Sequence, residues 1–247
     1  MPFRILALLL SVILPFGHLD LVQGTAINIT EAPWQASVLV NDKHRCGGVI
    51  YSKDVVLTIA QCVKGVRTGN LAVRVGSDKK DLGGQVLPAN RVVTQALGLL
   101  PSDVVIIALE KSIDLDDNAK SIDLASRLPK LDTEASVTGW TEVVGEDPAE
   151  EFLMRTNVTV VENLECRSDG FFIKRILRPN ELCASKSNST NVACQGFSGS
   201  PLVSDGKLIG IASWNVKCDF LQSPSVYADI AVIKPWISST AKLLNVF

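Results

Sequence analysis

The segment Cys-Gln-Gly-Phe-Ser-Gly-Ser-Pro-Leu-Val, residues 194–203, is the most informative stretch of this 247-residue sequence. One hydroxyl, that of Ser198, lies between small residues; a cysteine precedes it and an apolar run led by Pro201 follows. Glycines permit a tight turn in which backbone N–H groups point toward a common place. The segment therefore predicts an exposed serine on a loop that can bind a negatively charged oxygen.

The composition is that of a globular protein, with 47% hydrophobic residues, enough for one large domain with a sizeable core. The formal net charge is −2 and the isoelectric point is about 5.7. Because no basic stripe is available to neutralise phosphates, the sequence excludes a nucleic-acid-binding function. It also lacks a polybasic patch for a membrane surface.

The N-terminus is typical of a secretory signal peptide. Arg4 is followed by the apolar run of residues 5–14, which is too short to span a bilayer. We expect residues 1–17 to be removed, or a longer leader if cleavage follows Gly24; the alternative is a buried first helix. No second long apolar run follows, so the predicted product is secreted and extracellular, without a membrane anchor.

The cysteines and glycosylation sequons agree with export. An even number of cysteines predicts disulfides, although their spacing alone leaves the pairing open. No CxxC motif occurs and the histidines are only His18 and His44, so neither a metal nor a cofactor is expected. The cysteines are Cys46, Cys62, Cys166, Cys183, Cys194 and Cys218, and the Asn-X-Ser/Thr sequons begin at Asn28, Asn157 and Asn188.

Short β-rich segments, separated by turn residues, run through the chain. A helical pattern is found only in residues 231–244. Many short strands with one terminal helix predict an all-β protein built of antiparallel barrels rather than alternating β and α units. The predicted strands are residues 33–40, 44–50, 55–59, 71–75, 86–87, 91–93, 104–109, 135–139, 153–161, 201–203, 208–214 and 225–230.

Residues 194–203 resemble the Cys-Gln-Gly-Asp-Ser-Gly-Gly-Pro-Leu-Val segment of the chymotrypsin/trypsin family (peptidase S1), in which the serine is the nucleophile. Further family segments recur in the same order: Pro33-Trp34-Gln35, Cys46-Gly47-Gly48-Val49-Ile50, Leu57-Thr58-Ile59-Ala60-Gln61-Cys62, Ser102-Asp103-Val104-Val105-Ile106, Val137-Thr138-Gly139-Trp140, Ser213-Trp214 and Val226-Tyr227.

The resemblance implies a trypsin-like domain over residues 21–247, with two packed six-stranded antiparallel β-barrels and a C-terminal helix. It places the site in the cleft between the barrels. It also implies the disulfides Cys46–Cys62, Cys166–Cys183 and Cys194–Cys218.

The first departure from the family concerns the catalytic base. The family's Thr-Ala-Ala-His-Cys reads Thr-Ile-Ala-Gln-Cys here, with Gln61 in place of the histidine. An amide has no usable basicity near neutral pH. Asp103 matches the triad carboxylate and is expected to remain a buried acceptor, with Gln61 as one candidate donor. His44 matches a structural histidine that family members often carry, so the triad of Gln61, Asp103 and Ser198 is degenerate.

The second departure is Phe197. The resemblance implies an aspartate there, which pairs with a newly cut N-terminal ammonium and orders the oxyanion loop containing Gly196 and Ser198. A phenylalanine forms no ion pair and is expected to pack in apolar surroundings. The matching N-terminal segment, residues 21–24, follows Asp20 rather than a basic residue, so the usual activation cut has no target.

The family's specificity pocket is altered as well. Val192 aligns with the pocket floor, where its apolar side chain offers no charge to a basic substrate. Ser213, Trp214 and Asn215 are expected along one wall, with Ser225 nearby; Asn215 and Ser225 replace usual glycines. These side chains, and a glycan at the Asn188 sequon, predict a narrowed and shallow cleft.

The expected function is that of a non-catalytic serine protease homologue, of the kind common in insect haemolymph and reproductive fluids. Its expected partners are extracellular proteins such as active serine proteases, zymogens or inhibitors, with the fold serving as a rigid scaffold. One alternative is a secreted endopeptidase with residual activity. Another is a module that binds a small ligand or carbohydrate in the narrowed cleft.

Overall fold

The computed structural model describes residues 25–95, 102–140, 152–163, 166, 177–185, 197–215 and 224–244. The leader, Val192, Gly196, the Cys194–Cys218 pair and Asn188 lie outside these residues. The elements in chain order are β1 (Thr25–Ala26), β2 (Gln35–Val40), β3 (Lys43–Ser52), β4 (Val55–Ile59), α1 (Ala60–Val63), β5 (Leu71–Val75), β6 (Gln85–Thr94), β7 (Val104–Leu109), β8 (Asp123–Leu124), β9 (Glu134–Gly139), β10 (Met154–Val161), β11 (Glu181–Ser185), β12 (Pro201–Ser204), β13 (Lys207–Asn215), β14 (Ser225–Asp229) and α2 (Ile230–Leu244).

The first barrel is closed by six antiparallel strands in the order β2-β3-β4-β7-β6-β5. Its strands are rich in β-branched residues, which suit a pleated, buried surface. β5 alternates buried and half-buried residues, whereas every residue of β4 and β7 is buried. The apolar side chains of all six strands form one continuous core.

The second barrel contains β9, β10, β11, β14, β13 and β12, and it closes because β12 and β10 both pair with β9. Two short strands extend it: β1 pairs with β10, and β8 lies parallel to β13. Its separate core includes Val137, Leu202, Tyr227 and Phe197. The predicted pair of six-stranded antiparallel barrels is thus confirmed.

The C-terminal helix α2 confirms the predicted helix. Asp229 caps it, its Oδ1 accepting from the backbone N–H of Ala231 at 2.9 Å. The buried residues Ile233, Ile237 and Ala241 recur at helical spacing and pack on the first barrel's core. In the described part of the chain, no helix has the length and apolar character needed to cross a membrane.

Three local features differ from the sequence-based expectation. The predicted strands 86–87 and 91–93 form one strand, β6, with a bulge between Ala89 and Arg91 that interrupts the pattern. β11, Glu-Leu-Cys-Ala-Ser, was not predicted because it carries no β-branched residue; its pairing with β10 and β14 makes it a strand. α1 has only four residues, too few to show a helical period.

Candidate active site

Gln61 lies on α1, immediately after β4 has crossed the first barrel. Its side chain is exposed and forms no hydrogen bond with any described residue. The backbone N–H of its neighbour Ala60 donates to the Asp103 carbonyl oxygen at 2.6 Å. On the other side, the sulfur of Cys62 lies 4.0 Å from the Ser198 carbonyl oxygen. The fold therefore brings positions 61, 103 and 198 together, as the family resemblance implies.

Asp103 lies directly before β7 and is half-buried. Its Oδ2 accepts a hydrogen bond from the hydroxyl of Ser213, on β13 of the second barrel. Among the described residues the donor is therefore Ser213 and not Gln61, the candidate that the sequence offered. The amide of Gln61 is exposed, and the hydroxyl that reaches the carboxylate instead is that of Ser213, which is buried.

Ser198 lies in a turn formed by residues 197–200. The Ser200 N–H donates to the Phe197 carbonyl at 2.8 Å, and the Ser198 carbonyl accepts from the Gly47 N–H of the first barrel at 2.9 Å. Gly199 has a φ of +80°, and a Cβ there would lie 2.5 Å from Thr58 Oγ1. Only glycine fits this close approach. The turn, which belongs to the second barrel, therefore lies directly against the first.

The Phe197 side chain packs inside the second barrel. It is 2% exposed and belongs to that barrel's core. A Cβ built on Gly139 would lie 2.5 Å from Phe197 Cδ1, so the ring occupies the space above that glycine. An aromatic ring packed in this way contributes apolar burial, which is the packing expected for it.

Ser200, which stands where the family segment has its second glycine, is fully buried, and its hydroxyl has no hydrogen-bond partner in the described structure. A Cβ built on either Gly47 or Gly139 would collide with this hydroxyl. The side chain therefore fills the junction between the barrels without satisfying its polar atom.

His44 is held by contacts on the outer side of the first barrel. Its Nδ1 lies 2.8 Å from Ser37 Oγ, and that hydroxyl donates its proton to the Lys80 carbonyl at 3.0 Å. Since Ser37 has one proton to donate, Nδ1–H must be the donor to it and Nε2 carries the lone pair. Nε2 is buried, with no described partner, and the ring lies edge-on to Trp140 at 5.4 Å.

Burial lowers the pKa of the His44 imidazole to about 4, outweighing the opposing effect of Asp81. The ring is therefore neutral at physiological pH. Its described contacts are those of a packed structural residue, and none involves the serine turn.

Two positions that the resemblance assigns to the pocket wall lie on neighbouring strands. Asn215 of β13 and Ser225 of β14 are directly paired, so both residues that replace usual glycines lie at one place in the sheet. Ser213 and Ser225 are buried, at 2% and 7% exposure. Burial also raises the pKa of the Tyr227 phenol, which keeps this hydroxyl neutral. The backbone of Trp214 belongs to β13.

Two disulfides link described cysteines, Cys46–Cys62 beside the serine turn and Cys166–Cys183 in the second barrel. Both match pairings that the family resemblance implies. Among the sequon asparagines, Asn28 and Asn157 are exposed. Asn28 Oδ1 accepts from the Thr30 N–H and caps the short turn Ile29–Glu31.

Sequence reasoning placed Ser213 in the pocket wall but missed its hydrogen bond to Asp103. It also missed Gly47 and Gly139, on which the serine turn and its two substituted side chains pack. The Cys-Gly-Gly and Thr-Gly-Trp segments were visible signals, because glycine in a strand often marks the close approach of another backbone or side chain.

Over most of its length the sequence is similar to trypsins. The Trypsin family model matches residues 21–237. Trypsin alpha of Drosophila melanogaster is 35% identical over 225 residues, which is 90% of this chain and 87% of that protein. Trypsin alpha-4 of Lucilia cuprina is 34% identical over 227 residues, covering 90% of this chain and 87% of its own length.

Two solved structures share the fold. The scabies mite inactivated protease paralogue S-D1 superimposes with a TM-score of 0.77 at 28% identity, covering 89% of this chain and 96% of its own. Neuropsin, a serine protease of mouse brain, gives a TM-score of 0.72 at 28% identity, with 89% and 99% covered.

Proposed function

Because the chain belongs to the trypsin family of serine proteases, we propose that it is a secreted, non-catalytic member that acts by binding other proteins. Its partners would be extracellular proteases, zymogens or inhibitors, whose cascades it regulates or for which it serves as an adaptor. The observation that supports this proposal is Gln61, an exposed amide at the position of the family's catalytic histidine.

The chemistry follows from the weakness of a protonated serine as a nucleophile. An imidazole would take the Ser198 proton and later return it to the leaving group. The Gln61 amide accepts no proton near neutral pH, and loss of the histidine in a comparable triad costs about 10⁶-fold in turnover. His44, the histidine in the described part of the chain, instead forms a hydrogen bond with Ser37 and packs edge-on against Trp140.

Phe197 supports the same proposal independently. At this position the family's aspartate receives the N-terminal ammonium produced by activation, whereas here a benzyl group is buried in the second barrel. Asp20 in place of a basic residue also removes the usual activation cut. The scabies mite neighbour, described as an inactivated protease paralogue, shows that the fold also occurs in an inactivated member.

A second candidate, an endopeptidase with residual activity, is favoured by one feature of the site. The serine turn is folded, with Ser198 half-buried and its N–H unbonded within the described residues, while Asp103 keeps a hydroxyl donor. A fluorophosphonate probe separates the two candidates, using Ser198→Ala as the matched control. We expect no covalent labelling of the wild type; stoichiometric labelling that Ser198→Ala abolishes would establish the enzyme instead.

The repair experiment tests whether the histidine alone is missing. We expect Gln61→His to give no measurable peptide hydrolysis, because Phe197 and Asp20 leave the oxyanion loop without its activating ion pair. Steady-state cleavage of a set of peptide substrates is the measurement, with Gln61→Asn as a control without a base. Turnover by Gln61→His would show that the loop is already competent and that one substitution accounts for the inactivity.

The binding role has its own test. Affinity capture from the native secretion, with the purified chain as bait, is expected to enrich a protease, zymogen or inhibitor. Purified binding measurements and a cascade assay with and without the chain then define its effect. A chain that binds none of these proteins at micromolar concentration would contradict the adaptor role.

A further inference from the structure

A concavity lies against the C-terminal helix, and its lining does not include residues 61, 103 or 198. It has a volume of about 530 Å³ and is lined by parts of β3, β8, β13 and α2. Its lining includes three lysines, Lys207, Lys234 and Lys242, and one carboxylate, that of Asp123. We refer to it as the lysine cleft.

The positive charges of the lysine cleft are poorly neutralised. Lys207 and Lys242 are exposed and form no ion pair with any residue that the structure describes. The Lys234 ammonium is half-buried and donates to the Leu124 carbonyl at 2.9 Å and to Ser126 Oγ at 2.6 Å. Both acceptors are uncharged, so they fix the position of this ammonium without cancelling its charge.

Hydroxyl groups surround these ammonium groups. Ser121, Ser126 and Ser238 all line the cleft, and the hydroxyls of Ser121 and Ser238 have no hydrogen-bond partner among the described residues. Asp123 lies opposite Lys207 in the register of the parallel strands β8 and β13 without forming a salt bridge with it, so its carboxylate offsets only part of the positive charge. The cleft thus combines an excess of positive charge with free groups that both donate and accept hydrogen bonds.

We propose that the lysine cleft binds a sulfated oligosaccharide segment of an extracellular glycan. Sulfates would meet the ammonium groups, and sugar hydroxyls would meet the serines. The cleft is within the range of about 300–1,000 Å³ that is usual for small-ligand sites. A flat membrane surface does not enter such a concavity, and the three lysines present separate point charges, each of which can meet one sulfate of the same glycan chain.

The overall charge of the protein sharpens this proposal. At a formal net charge of −2 the molecule as a whole does not attract polyanions, so binding must come from a local cluster. The site is independent of the chemistry at Ser198, and it depends on the proposed function only through the extracellular location.

The test measures binding of a heparin-derived hexasaccharide to the full secreted chain by calorimetry at two salt concentrations. We expect binding that weakens as salt rises and is absent for the fully desulfated hexasaccharide. The double variant Lys207→Gln/Lys242→Gln should weaken binding about tenfold or more. Lys111→Gln, at an exposed lysine outside the cleft, changes net charge without affecting the site and should bind like the wild type.

A third variant, Lys234→Gln, tests the fixed ammonium, with thermal unfolding as a check because it also removes two internal hydrogen bonds. Equal weakening by Lys111→Gln and the double variant would reduce the effect to non-specific charge and overturn the proposal. So would no binding of the sulfated hexasaccharide, or tighter cleft-dependent binding of an acidic phosphopeptide.

Discussion

The two barrels have accommodated the departures from the family pattern in opposite ways. In the first barrel, Gln61, which the family resemblance matches to the histidine, is exposed and has no hydrogen-bond partner among the described residues. In the second, Phe197 and Ser200, which the resemblance matches to an aspartate and a glycine, are both buried against Gly139. Gln61 is thus a surface residue, whereas Phe197 is part of a core. The two should therefore differ sharply in their effect on stability.

The largest expected effect is that of Phe197→Ala. Truncation removes a ring that is 2% exposed and leaves a cavity above Gly139, so we expect a loss of about 3–5 kcal/mol in the free energy of unfolding. Urea denaturation provides the measurement. Phe152→Ala, at a ring that is 37% exposed, is the control and should cost less than about 1 kcal/mol. Equal losses would show that Phe197 is not a core residue.

The second-largest expected effect is a pH dependence of the free energy of unfolding that comes from His44 in the first barrel. Burial lowers the pKa of His44 from 6.5 to about 4, so the unfolded chain binds more protons between these values and stability falls as pH falls through them. The loss amounts to about 3 kcal/mol by pH 4. His44→Gln should remove this slope, measured as the difference in unfolding free energy between variant and wild type from pH 7 to pH 4.

The variant must be compared with the wild type because Asp229 makes the free energy of unfolding change with pH in the opposite direction. Its pKa is raised by burial, so its protonated form is favoured in the folded state and its contribution to stability falls as pH rises through the raised pKa. Asp229 is common to both proteins and cancels. An unchanged slope in His44→Gln would show that the imidazole is not the titrating group.

The sequence predicts the first barrel better than the second, for a physical reason. Strands such as β4, β5 and β7 are β-branched and bounded by turn residues, so local preference and tertiary pairing agree. β11 has no such preference, and only its two neighbours make it a strand. At the site, the residue type of Phe197 correctly indicated apolar packing.

The residue types did not indicate which side chains form hydrogen bonds or pack against one another across the site. The Ser213–Asp103 hydrogen bond joins residues 110 positions apart on different barrels, and it depends on the docking of one barrel on the other. The contact of Phe197 with Gly139 is set in the same way, by the closure of the second barrel. A single sequence carries the side chains of such contacts but not their distances.

A smaller effect of opposite sign is expected for Ser200→Ala. The hydroxyl is buried without a described partner, so its removal should raise the free energy of unfolding by about 1–2 kcal/mol. Ser204→Ala, on β12, is the matched control because its hydroxyl donates to the Glu134 carbonyl at 2.6 Å and its loss should destabilise. Destabilisation by Ser200→Ala would reveal a partner for this hydroxyl.

The smallest expected effect is that of Gln61→Ala, within about 0.5 kcal/mol in the free energy of unfolding, because the side chain is exposed and unbonded among the described residues. Gln61→His should be equally neutral, so the repair experiment does not fail merely because the protein unfolds. A loss above about 1 kcal/mol would show that the amide has acquired a structural role, and the contrast between the barrels would disappear. If Gln61 is neutral while Phe197 is costly, a base is readily restored to this fold, but the ion pair returns only at the expense of the second barrel's core.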